Sequence, residues 1–153
     1  MSDFEKILLT AAMTVLGGFI IHSISQLFLK LFIEPLQEYR KKKSEAISLL
    51  SFYSNMLSSR IHDNDTNEYR ERHHKAQDEI RMCMSNLKAA YYSISPQWFA
   101  ILIGVIPNPE KFKIASNNLL TLSFLGALNS EGDSDSKNFN LAKDTAIILG
   151  AEL

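Results

Sequence analysis

From Ile7 to Leu29 the chain runs apolar without one formally charged side chain, and only beyond it does the mixed patterning of an ordinary domain begin. About 20 such residues at 1.5 Å rise match the roughly 30 Å hydrocarbon core of a bilayer, so residues 1–36 read as a transmembrane anchor. The cluster Arg40-Lys41-Lys42-Lys43 follows, whereas the tail Ser2-Asp3-Phe4-Glu5-Lys6 has no positive excess. By the positive-inside rule this predicts a single-pass protein with its C-terminal domain in the cytoplasm. A secretory leader would want a basic start, a shorter apolar stretch and small residues at a cleavage site. The acidic tail and the bulky end Leu27-Phe28-Leu29-Lys30-Leu31-Phe32 suit a retained anchor better.

Past the anchor the apolar positions recur at helical spacing, which predicts an all-α domain. Leu36, Tyr39, Ile47, Leu50, Tyr53 and Leu57 mark one face of a juxtamembrane helix over 37–60, with Pro35 placed to kink it or to begin it. Its basic cluster would meet the lipid headgroups. Residues 61–153 are expected to form the cytosolic helical ligand-binding domain. A polar break at 61–66 comes first, then a helix capped by Asp65 or Thr66 and running from about Glu68 to Ser93. After Ser95-Pro96, Gln97 to Ile106 is an apolar run too short to cross a bilayer, suited to a core or an interfacial helix. Pro107-Asn108-Pro109-Glu110 signals a helix start, with Asn108 as N-cap and Pro109 at the first helical position. That helix carries Phe112, Ala115, Leu119, Leu122 and Leu125 at core spacing, Ser130 to Ser136 read as a solvated loop, and Phe139 to Leu149 as a last helix with Gly150 near its end.

Within the span the polar and small residues Thr10, Thr14, Gly18, His22, Gln26 and Lys30 recur every fourth position. Four residues overshoot a 3.6-residue turn by about 40°, so this stripe winds slowly around the helix, as in crossings built on small residues. It predicts a homo-oligomer whose spans meet along the stripe and can open a polar path. The structural alternative is that Thr10 and Thr14 bond back to their own helix while His22 and Gln26 line one interface.

The balance of 16 basic and 17 acidic residues leaves a formal net charge of −1, so nothing in the whole chain calls for DNA. The lone Cys83 has no partner for an intramolecular disulfide, in keeping with a reducing compartment. Neither a Gly-rich phosphate loop, a His-Glu-x-x-His motif nor a Gly-x-Ser-x-Gly turn occurs, so no enzyme and no cofactor are expected. His62, His73 and His74 lack a fourth ligand at metal spacing, and Glu131, Asp133 and Asp135 lack the remainder of a calcium loop, so no metal is expected.

One soluble segment stands out for binding. Arg70-Glu71-Arg72-His73-His74-Lys75, extended by Arg81 and Lys88 on the same helix, forms a local positive patch of groups suited to phosphate. Glu68, Glu71, Asp78 and Glu79 stand three or four residues away and offer the opposing reading, a neutralised helix surface. Tyr91, Tyr92 and Trp98 are base-stacking platforms or core residues.

The segments Ile33-Glu34-Pro35-Leu36-Gln37-Glu38-Tyr39-Arg40-Lys41, Leu50-Ser51-Phe52-Tyr53-Ser54-Asn55 and Ala115-Ser116-Asn117-Asn118-Leu119-Leu120-Thr121-Leu122-Ser123, behind one N-terminal span, give the chain a likeness over nearly its full length. It resembles the membrane-anchored effectors of type III CRISPR antiviral defence, which bind a cyclic oligoadenylate. The resemblance implies a homotetramer in a bacterial inner membrane, recognition of cyclic tetra-adenylate by the cytosolic domain, and perturbation of the lipid bilayer on activation. On that footing Arg70, His73, His74, Lys75 and Arg81 are the expected phosphate contacts, and Asn117 and Asn118 the base or ribose contacts. A membrane-tethered protein-interaction module and a ligand-independent pore-forming toxin are the other readings.

Overall fold

The computed structural model describes residues 2–57, 65–124 and 134–151. Its elements are α1 (Asp3–Phe28), a π turn (Leu29–Ile33), α2 (Glu34–Phe52), α3 (Ser54–Leu57), α4 (Asn67–Tyr92), α5 (Gln97–Leu102), α6 (Pro109–Leu122) and α7 (Ser134–Ile148), with no strand among the described residues. The fold is all-α, as the periodicity predicts.

α1 begins at a capping box: the Ser2 hydroxyl accepts the Glu5 N–H at 3.3 Å while the Glu5 carboxylate accepts the Ser2 N–H at 2.9 Å. From there one unbroken helix of 50 residues runs to Phe52, about 75 Å at 1.5 Å per residue. Its N-terminal part is long and apolar enough to cross a bilayer, and no residue of α1 is buried. Pro35 neither breaks nor restarts it. Proline has no N–H to donate, and the turn just ahead of it is widened so that the Glu34 N–H reaches the Leu29 carbonyl five residues back.

α2 is a wall of the domain. Leu36, Tyr39, Ala46 and Leu50 turn inward against α4, α4 packs on α6, and α6 on α7. At the centre of this four-helix core Tyr91 stacks on Phe112, and the edge of Tyr39 meets the Tyr91 ring at a centroid distance of 5.8 Å. The Tyr53 hydroxyl donates to the Glu79 carboxylate at 2.7 Å, fastening the end of α2 to the middle of α4. That bond, with burial, pushes the Tyr53 phenol up to about 12.

Local signals set the helix ends. Thr66 caps α4 by accepting the Tyr69 N–H at 3.3 Å, and Asn108 caps α6 by accepting the Lys111 N–H at 2.8 Å with Pro109 in the first turn. α5 and α7 end alike: Gly104 (φ +72°) and Gly150 (φ +78°) adopt the left-handed conformation. Paired backbone bonds, Gly104 N–H to Ile101 and Val105 N–H to Ala100, Gly150 N–H to Ile147 and Ala151 N–H to Ala146, then satisfy the last carbonyls. Two boundaries differ from expectation. The helix expected over 37–60 leaves α geometry at Tyr53 and resumes at Ser54–Leu57, with 58–60 outside the described residues, and α7 already includes Ser134, ahead of the expected Phe139. Arg60, His62, Leu125, Glu131 and Asp133 lie outside the described residues.

Candidate ligand-binding site

Successive residues on a helix turn by about 100°, and this divides the basic segment of α4. Arg70, His74 and Arg81 fall within about 40° of one another and form a stripe about 17 Å long. Arg70 is half-buried; His74 and Arg81 are exposed. Arg81 is already engaged. Its guanidinium contacts Asp78 Oδ1 at 3.4 Å, donates to the Ser123 carbonyl at 3.5 Å, and lies 5.3 Å from the centroid of the Phe124 ring at the C-terminal end of α6.

The other expected phosphate contacts lie elsewhere. His73 faces the core at 3% exposure, its ring edge-on to Tyr69 at 4.7 Å and its Nε2 without a hydrogen-bond partner among the described residues. Burial holds its pKa below the usual imidazole value; Asp65 opposes this and His74 adds to it. Lys75 turns to the outer side of α4, 3.9 Å from Glu79, where Arg72 also pairs with Glu68. Asn117 is exposed, and its carbonyl accepts the Thr121 hydroxyl at 3.0 Å; Asn118 is half-buried. Thus the segment is not one patch. Arg70, His74 and Arg81 share one face of α4, while His73 and Lys75 leave the stripe in opposite directions.

A second cationic locus was not legible in the sequence. A cavity of about 410 Å³ is lined by Tyr39, Lys43, Gly104, Asn108, Lys111 and Gly150 among others. The fully buried Tyr39 hydroxyl has no hydrogen-bond partner among the described residues, and burial, then the neighbouring Tyr91, pushes its pKa well up. A buried polar group left unsatisfied costs about 1–3 kcal/mol, a cost the fold carries in the wall of this cavity. Lys43 reaches the C-terminal end of α7, where a Cβ added at Gly150 would stand 3.8 Å from its Nζ. Thus the basic cluster splits: Arg40 and Lys41 are exposed, Lys42 pairs with Glu45 at 2.9 Å, and Lys43 turns to the cavity. These residues come from three well-separated stretches of sequence, and only the packing of α2 beside the α5–α6 loop and the C-terminal end of α7 unites them.

In α1 the hydroxyls of the stripe are spoken for. Thr10 donates to the Lys6 carbonyl and Thr14 to the Thr10 carbonyl, each at 2.8 Å, and the stripe is exposed at every position from Thr10 to Lys30. Tyr91 is core, whereas Tyr92 and Trp98 are largely exposed. No protein-family model, curated protein or solved structure matches the chain.

Proposed function

We propose that the chain is a single-pass membrane protein whose helical domain is a cytosolic receptor for a cyclic oligoadenylate, cyclic tetra-adenylate foremost, and which perturbs the bilayer when the ligand binds. One observation carries this reading. The helix Asp3–Phe52 is an exposed apolar rod at one end and a wall of the domain core at the other, so rotation of the domain turns the rod with it. Cationic groups suited to phosphodiesters stand on the α4 stripe and around the Tyr39 cavity. A fourfold assembly would present each to a ligand of matching symmetry, and its spans would meet through Gly18, His22 and Gln26. Ligand shifts the membrane state only through unequal affinity for two arrangements of that assembly.

The test is calorimetry on the full-length protein in detergent with cyclic tri-, tetra- and hexa-adenylate. Preferential binding of the tetramer ring, at one ring per four chains, is the expected result. Absence of binding by every ring overturns the receptor reading. Paired variants locate the contacts: loss of affinity in R70A/H74A assigns the phosphates to α4, loss in K43Q/K111Q to the cavity.

A further inference from the structure

α5 is apolar on its outward side as well as its inward one. In the stretch Gln97-Trp98-Phe99-Ala100-Ile101-Leu102, Ala100 is buried and Ile101 half-buried against the core, while Trp98 is 67% and Leu102 74% exposed. These two stand one turn apart on the same face, and Ile103 continues the exposed apolar surface. Single exposed apolar residues are ordinary on a protein surface, but a tryptophan beside a leucine and an isoleucine is a patch that something covers.

The location of α5 says what covers it. Phe99 packs on Phe32 at a centroid distance of 5.3 Å, and Phe32 stacks on Phe28 at 5.2 Å, so three rings moor α5 to the last turns of the apolar rod. Phe32 follows Leu29 by three residues, about 4.5 Å along the helix axis. The headgroup layer on each side of the hydrocarbon core is about 5–7 Å deep, which puts α5 inside it and not in bulk water. Tryptophan, with its apolar ring and polar N–H, is the side chain most at home at that depth, and the exposed Lys30, next to Leu29 on the same continuous helix, is charged to meet phospholipid phosphates.

We infer that α5 is an interfacial helix whose Trp98–Leu102 face inserts among the headgroups of the phospholipid leaflet from which α1 emerges, giving the domain a second attachment to the membrane. This rests on α1 being a span. Trp98 is the only tryptophan of the chain, so the full-length protein carries its own reporter. In phosphatidylcholine and phosphatidylglycerol vesicles its emission should be shifted to the blue, and lost most strongly with lipids bearing a quencher near the headgroup and less with quenchers at the bilayer centre. A second readout places an environment-sensitive fluorophore at Leu102→Cys in a Cys83→Ser background, with the same depth order expected. Water-like emission without lipid quenching, in protein that resists alkaline carbonate extraction, overturns the proposal and leaves the span standing. Blue emission that no lipid quencher reaches places a protein surface, such as a second copy of the chain, over Trp98 and also overturns it, as does quenching strongest at the bilayer centre. If carbonate strips the protein from the vesicles, the span reading fails and the interfacial helix with it.

Discussion

The rings of Tyr91 and Phe112 lie face to face, their centroids 3.7 Å apart and their planes 3° from parallel. This is the point at which α4 and α6 are joined, and both side chains are almost fully buried. Phe112→Ala empties it. Truncating a core phenylalanine costs about 3–5 kcal/mol, so thermal unfolding in detergent should show a loss of that order; a loss under about 1 kcal/mol would mean the rings are not central to stability.

Gly104 tests the backbone alone. An added Cβ there meets no atom within 4 Å, yet φ is +72°, so Gly104→Ala isolates the penalty of the left-handed conformation. That penalty is roughly 1–2 kcal/mol for an L-residue, with Asn penalised less than Ala. A melting temperature unchanged in Gly104→Ala would contradict the left-handed cap of α5.

His73 makes stability depend on pH. Its folded pKa is depressed by burial while the unfolded value stays near 6.5, so between the two the unfolded chain binds the extra proton. The stabilisation is therefore fully present above about pH 6.5 and is lost as the pH falls towards the folded pKa. Melting temperatures between pH 8 and pH 5 should drop on the acid side, and the drop should be smaller in His73→Phe. An identical acid dependence in that variant would rule out His73 as the source.

Cys83 should be slow to react. Burial, and next the Glu45 carboxylate, pushes its thiol up to about 11, with Lys42 opposing, so little thiolate exists at neutral pH. Alkylation by iodoacetamide is expected to be much slower in the folded protein than after unfolding in denaturant. Equal rates would mean that the thiol is open to solvent.

What could be read in the sequence was local. Asn108 and Pro109 announce α6 because a cap is a matter of adjacent residues, and Thr66 does the same for α4. The apolar rod was legible from composition alone. Consecutive basic residues, by contrast, read as one patch in a string but point in different directions on a helix, which is how His73 and Lys75 come to leave the Arg70–His74–Arg81 stripe. The cavity was hidden for another reason: Tyr39, Lys43 and Lys111 each have an ordinary local explanation, and nothing short of the tertiary packing sets them around one space. The end of α2 at Tyr53 carries no glycine or proline signal; what distinguishes it is a long-range contact, the Tyr53 hydroxyl on Glu79.

The burial of Leu36 and Tyr39 limits where the chain can be cut. A water-soluble fragment beginning at Ser44, just after the basic cluster, would look natural on charge grounds, yet it removes the tyrosine whose edge closes over Tyr91 and deletes Lys43 as well. Such a piece would be loosened at its centre and would report a binding defect of its own making. The smallest severable unit starts at the π turn, and it carries Phe32 with it, so the domain when freed from α1 keeps an adhesive end.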